Sequence, residues 1–249
     1  MKKKKVIIMV ISALVIASAG AFIYHKMHDK QAYDYSEFYE EITPEEDIET
    51  EETMTEEEPE MVLSLQLLHE RNSDIVGILK FDDKVIYEPV AQAPDNKYYE
   101  RKNIDRSYAA AGIPFVSADG NIYSKNVVIF GHSSAYRDII FTPLMNYLNL
   151  AYYNDHPTFT FETFNGIRTY EIFAVIGYDT NNVNDSLEFI QTSWRKQSEF
   201  ESFISNVRAK SFYKTNVAVS ADDDIMTLVT CDNRDNSKRV VVLAKLLSE

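Results

Sequence analysis

The sequence predicts a mostly-β (α+β) domain, a barrel or sandwich with accessory helices, preceded by one transmembrane helix. Three observations carry that reading. From about residue 75 onward, short apolar or alternating runs recur between turn residues, which is the signature of strands. Few stretches show helical spacing, and no internal repeat is visible, so helices are insertions in a strand-built domain. The N-terminal part has a different texture: basic, then apolar, then acidic.

Residues 2–5 are four lysines, and the run from Val6 to Tyr24 is uncharged and apolar. At helical rise such a run spans roughly 28 Å, close to the hydrocarbon thickness of a bilayer. Lys26 and Lys30 follow it, fewer cations than precede it, so the positive-inside bias keeps 1–5 cytoplasmic and sends the rest out. A cleavable signal peptide is the rival, because Ala17-Ser18-Ala19 resembles a small-residue cleavage site. The apolar run continues through Ala21, Phe22 and Ile23, which favours an uncleaved signal-anchor over 6–24.

Residues 25–60 read as an acidic extracellular linker. Between 31 and 60 lie fourteen Asp or Glu and no Lys or Arg, which accounts for the whole net charge of −14. Blocks such as Glu45-Glu46-Asp47 repel one another and offer little apolar surface to bury. The spacing matches no calcium loop, so the expected role is a solvated spacer. The remainder of the chain is neutral, and no basic excess points to nucleic acid.

The folded domain is expected over 61–249. Met61 to His69 suits a short helix; Ile75 to Phe81 and Val85 to Val90 read as strands joined by a turn at Asp82-Asp83. Asn126 to Gly131 is a short buried strand, and Thr142-Pro143 opens a helix as cap and first helical residue. Thr158 to Phe164 and Ile167 to Tyr178 form a hairpin about Asn165-Gly166. Phe200, Phe203, Ile204 and Val207 mark an amphipathic helix, before strands at Met226 to Cys231 and Arg239 to Leu247.

The chain has one cysteine, so an exported form has no internal disulfide, and Cys231 is either a buried apolar side chain or a working thiol. It ends one strand; a loop over 232–238 follows, and Arg239 begins the return. Antiparallel pairing would set Cys231 opposite Arg239 at one rim of the sheet. A guanidinium beside a thiol favours thiolate chemistry and can stabilise an oxyanion, although an arginine there could equally cap a strand or pair with Asp232 or Asp235. Of five histidines, His25 and His28 adjoin the apolar run, His69 lies in the expected helix and His156 precedes Pro157 in a loop. His132 ends the strand Asn126 to Gly131, and a strand terminus is the rigid support that a catalytic base needs.

Together these motifs resemble the sortase family. Asn-Val-Val-Ile-Phe-Gly-His132 is similar to its histidine motif, Thr-Leu-Val-Thr-Cys231 to its Thr-Leu-x-Thr-Cys signature, and Arg239 to the arginine opening the next strand. The resemblance spans about residues 62–248, and class B fits best. Asn72-Ser73-Asp74-Ile75-Val76-Gly77, Pro89-Val90-Ala91-Gln92 with Asp95-Asn96, and Ala111-Gly112-Ile113-Pro114-Phe115 resemble segments of that class, as does a helix within 185–209. Val229, where class B members often carry serine, and Ala91-Gln92-Ala93-Pro94 depart from its pattern.

The resemblance implies a closed sortase-like barrel and a cysteine transpeptidase with Cys231 as nucleophile. It gives His132 the proton transfers and Arg239 the oxyanion, with Val229 and Thr230 as candidate substrate-binding positions. The partners implied are exported proteins with a C-terminal sorting motif and a peptidoglycan precursor or cross-bridge amine, at a membrane reached through the N-terminal helix. No cofactor or metal is required, and no plausible metal-ligand cluster stands in the sequence. The alternatives are a pilin-polymerising relative with a lysine acceptor and a catalytically silent surface-binding domain. The order of His132 before Cys231, and a cysteine ending a strand, argue against a papain-type protease.

Overall fold

The structure, a computed structural model, describes residues 33–42, 60–82, 84–136, 139–182 and 187–248. The tail 1–5, the apolar run 6–24 and most of the 25–60 linker lie outside the described residues. Among the described residues, no helix is long and apolar enough to cross a membrane.

The described strands are β1 (Tyr39–Ile42), β2 (Glu60–Leu63), β3 (Ile75–Phe81), β4 (Tyr87–Gln92), β5 (Phe115–Val116) and β6 (Asn126–Phe130). They continue with β7 (Thr158–Thr163), β8 (Gly166–Asp179), β9 (Ile225–Asp232) and β10 (Asp235–Ser248). The helices are α1 (Leu65–Arg71), α2 (Leu150–Asp155) and α3 (Gln197–Lys210), with 3-10 turns at Ser36–Phe38, Tyr98–Arg101 and Thr142–Leu148. Strands β3 to β10 close into a barrel in the order β10-β8-β7-β3-β4-β5-β6-β9. Two neighbours are parallel, β4 with β5 and β6 with β9; the other pairs in the barrel are antiparallel.

Alternation along the strands divides the apolar side chains between two cores. One fills the barrel, where Phe81, Phe159 and Tyr170 stack beside Ile129, Leu228, Val240 and Val242. The other covers the outer face of β6, β8, β9 and β10, where Val128, Ile176, Val229, Val241 and Leu243 meet the apolar stripe of α3. Phe200, Phe203, Ile204 and Val207 are that stripe, as their spacing predicts. At about 2 kcal/mol for each buried side chain, this stripe fixes the helix on the barrel without help from a capping side chain at Lys196.

Four local expectations are corrected. Met61–Leu63 is strand, not the start of a helix: Ser64 caps α1 by accepting from Leu67 N, so the helix begins at Leu65. Thr142–Leu148 is 3-10 rather than α, and the Thr142 hydroxyl, instead of capping its helix, accepts from Ser134 N and Ile139 N in the loop before it. The β7–β8 turn is formed by Phe164 and Asn165, with Gly166 following at φ +130, since Asn165 does not take the positive φ that an Asn-Gly turn needs. The loop over 232–238 is not a plain loop either; its structure is described with the site.

The acidic linker also differs from expectation. Its residues Tyr39–Ile42 pair with β2, and the compact unit begins at Tyr35, not at Met61. Phe38 is buried, Arg71 pairs with Glu37 at 2.7 Å, and the Tyr35 hydroxyl donates to Glu88 at 3.0 Å. Tyr39 stands edge-on to Tyr87. Apolar and aromatic residues interleaved among the acids carry the docking, so net charge alone misjudged this stretch. A chain beginning at Met61 should unfold several degrees below one beginning at Tyr33. Loss of the Phe38 burial and of the cover over Leu63 corresponds to about 3 kcal/mol, or roughly 6–12 °C. Equal midpoints in thermal unfolding would show that the ribbon adds nothing.

Candidate active site

Parallel pairing of β6 with β9 sets the first coordinate of the site. Phe130 lies opposite Val229, and the pairing continues past the strand end as Gly131 N donates to Val229 O at 3.1 Å. The next residues are joined by side chains. Thr230 donates from Oγ1 to Gly131 O at 2.8 Å, Ser133 from Oγ to Cys231 O at 2.5 Å, and Asn233 from Nδ2 to Ser134 O at 3.3 Å. His132 is therefore held level with Cys231, between two residues that bond across to β9. A side chain at Gly131 would strike the Phe141 ring, which keeps that position small.

Antiparallel pairing of β9 with β10 sets the second. Cys231 lies opposite Arg239, which on its other side lies opposite Tyr178 of β8. The expected loop is a tight turn at Asn233-Arg234 followed by a bulge: Asp232 pairs with Asp235, and the register then shifts before Arg239. Asp232 builds the turn, accepting from Arg234 N, Nε and Nη2 at 2.9, 2.8 and 2.6 Å. These contacts, the guanidinium's foremost, hold the Asp232 carboxyl below the usual carboxylate range. Asp235 likewise accepts from Ser237 and pairs with Lys238 at 3.3 Å.

Alternation assigns the faces. Phe130, Val229 and Val241 belong to the outer core, and His132, Cys231 and Arg239 share their parity along β6, β9 and β10. All three thus project from one outer face at one rim, continuing an apolar surface that includes Phe130 and Tyr178. Cys231 is a free, half-buried thiol.

Of the hairpin's cations, two are already engaged by carboxylates: Arg234 by Asp232 and Lys238 by Asp235. Among the described residues Arg239 has no carboxylate partner. It donates from Nη1 to the carbonyls of Asn236 and Lys238, at 2.8 and 2.9 Å, which aims the guanidinium while leaving Nε and Nη2 for another acceptor. The rival reading, a pairing with Asp232 or Asp235, is not what forms.

His132 is half-buried and bonds through Nε2 to the Glu100 carbonyl at 2.9 Å. A carbonyl only accepts, so Nε2 carries the hydrogen and the neutral ring keeps its lone pair on Nδ1. Burial and the nearby Arg101 charge hold the imidazole below its ordinary value, against the opposing pull of Glu100. The sequence reading missed Glu100, Arg101 and Ser133. Glu100 acts through its backbone carbonyl, which no residue type advertises; Ser133, adjoining the histidine motif, was legible only as a neighbour.

Two expected substrate-binding positions are corrected. Thr230 is 2% exposed with its hydroxyl bonded to Gly131 O, and Val229 is 4% exposed within the outer core. Neither offers surface to a substrate: Thr230 ties β9 to β6, and Val229 packs under α3. The apolar surface beside the cysteine is supplied by Phe130 and Tyr178, both partly exposed.

A family model for the Sortase domain matches residues 89–247, a span that holds His132, Cys231 and Arg239. Among curated proteins, sortase B of Listeria monocytogenes is 33% identical over 189 residues, 74% of this chain and 74% of its own. Among solved structures, Clostridium perfringens sortase B gives a TM-score of 0.68 at 26% identity, over 74% of this chain and 100% of that one. The Staphylococcus aureus sortase B-substrate complex gives 0.67 at 26% identity, over 74% of this chain and 84% of that one.

Proposed function

The chain belongs to the sortase family of cysteine transpeptidases, matching class B members, and from that premise we propose how it joins exported proteins to the cell wall. Cys231 attacks a backbone carbonyl within a C-terminal sorting motif, and its thiol proton passes to His132. Arg239 donates to the oxyanion that forms. His132 then delivers the proton to the leaving amine, and a thioester on Cys231 remains. A peptidoglycan amine attacks the thioester, His132 accepts its proton, and the proton returns to the departing sulfur. An imidazole held below its ordinary value is neutral near pH 7 and suits the second half of this cycle. The apolar run 6–24 would hold the domain at the outer surface of the membrane.

The observation that carries this reading is the β9–β10 register, which sets Cys231 opposite an arginine with no carboxylate partner among the described residues, with His132 level beside them. A Staphylococcus aureus relative is described as a substrate complex, which favours a peptide ligand here as well. The test uses the full chain in isolated membranes, with Leu-Pro-, Asn-Pro- and Ser-Pro-containing peptides and candidate amines. Mass spectrometry should find an acyl group on Cys231 that a glycine-type amine removes as a new peptide bond, and N-terminal sequencing should still read Met1. Products joined only to protein lysines would favour the pilin-polymerising alternative, and a start near Gly20 would replace the anchor by a signal peptide.

A further inference from the structure

The turn that receives His132 is itself tightly held, through a side chain and through its backbone. Tyr98–Arg101 is one short 3-10 turn, and Tyr99 at its centre is 0% exposed. Its phenol accepts from Asn72 Nδ2 at 2.7 Å and donates to Asp74 Oδ2 at 2.7 Å. Asn72, 1% exposed, is the residue that ends α1, and its Oδ1 accepts from Asp74 N at 3.0 Å. Arg106 pairs with the same Asp74 oxygen at 3.2 Å. Against the backbone of the turn, Gly112 stands at φ +63, and a Cβ there would lie 2.3 Å from the Tyr99 carbonyl oxygen and 2.6 Å from that of Glu100. Only glycine lets the chain approach the turn so closely. Burial pushes the Tyr99 phenol up to about 12, so it keeps its proton and goes on donating throughout the neutral range.

A tyrosine needed only for packing would not require two polar partners, the buried Asn72 and the partly buried Asp74, because phenylalanine would fill the same space without them. The bonds have a second effect here, since the next residue in the turn is Glu100, whose carbonyl accepts from His132 Nε2. We propose that Tyr99 is a positioning residue for His132: anchored by Asn72 and Asp74, it fixes the Glu100 carbonyl so that the imidazole stays Nε2-protonated with Nδ1 free for proton transfer. This rests on the reading of His132 as the proton-transfer group. It assigns part of the catalytic geometry to an element near the start of the barrel, distant in sequence from both strands of the site.

The test labels the histidines of the full-length protein with 15N and identifies the His132 signals by their absence in His132→Gln. The parent ring should read as the Nε2–H tautomer. Tyr99→Phe should shift it toward a tautomer mixture and lower kcat roughly tenfold, with the peptide KM changed less than about twofold. Asp74→Ala should do the same, and Asp74→Asn, which still offers the phenol an acceptor, should recover most of both effects. A folded Tyr99→Phe with parental tautomer and kcat would overturn the proposal. If Tyr99→Phe fails to fold, the comparison of Asp74→Ala with Asp74→Asn decides in its place, and identical tautomers and rates in those two would be equally fatal. Full acyl transfer by His132→Gln would instead remove the underlying reading of His132, whatever the tautomer does.

Discussion

Cys231→Ala is expected to give no acyl-enzyme and no transpeptidation, a loss of at least about 10⁴-fold, with the barrel intact. The reasoning is local. Cys231 is the only thiol in the chain, so no second sulfur can take its place. Its backbone is fixed twice, by pairing with Arg239 and by the Ser133 hydroxyl on its carbonyl, and neither contact involves the sulfur. Removing Sγ therefore leaves the strand register and the loop 131–134 where they were. The half-buried side chain loses one heavy atom, which costs about 1 kcal/mol or less of stability. The measurement is mass spectrometry of the variant incubated with peptide, beside a thermal unfolding curve. Cleavage at more than about a thousandth of the parental rate by a folded Cys231→Ala protein would mean that the nucleophile lies elsewhere.

The candidate trio His132, Cys231 and Arg239 was legible because strand ends and residue types coincide in it. A buried run ending in Gly131-His132, another ending in Thr230-Cys231, and an arginine opening the next strand are patterns that survive without coordinates. Strands β3, β6, β7, β8, β9 and β10 were legible for the same reason: each buries a long apolar or alternating face. What escaped has physical causes as specific. Strand β5 is two residues long, too short for any period. The ribbon β1–β2 lies in a Glu-rich stretch whose charge outweighs Phe38 and Tyr39 in any composition count. The turn after Cys231 depends on Asp232 gripping Arg234, a contact two residues apart that spacing alone cannot distinguish from a solvated loop. Val229 and Thr230 looked functional from proximity in sequence. One points into the outer core, however, and the other commits its hydroxyl to the neighbouring strand.

Arg239→Lys is expected to keep the charge and the fold but lose roughly 10²-fold or more in acyl-enzyme formation. The hairpin supplies its own controls. Arg234 is held by three bonds to Asp232, and Lys238 by Asp235, so each is neutralised where it stands. Arg239 instead has Nη1 on the Asn236 and Lys238 carbonyls, which orients the planar group without discharging it. A lysine at this position could keep one of those bonds but would then have no fixed second donor for a developing oxyanion. The bulge itself would survive, since Asp235 and Ser237 hold it independently of residue 239. Arg234→Lys and Lys238→Ala should stay within about fivefold of the parent, since both cations are exposed and are paired to hairpin carboxylates rather than to the reacting atoms. If charge alone mattered, Arg239→Lys would be close to parental, and Lys238→Ala would lower the rate about as much as Arg239→Ala. Single-turnover acylation of the four variants with one peptide separates these outcomes. A parental rate for Arg239→Lys would reduce the arginine to a strand cap and leave the oxyanion to backbone donors.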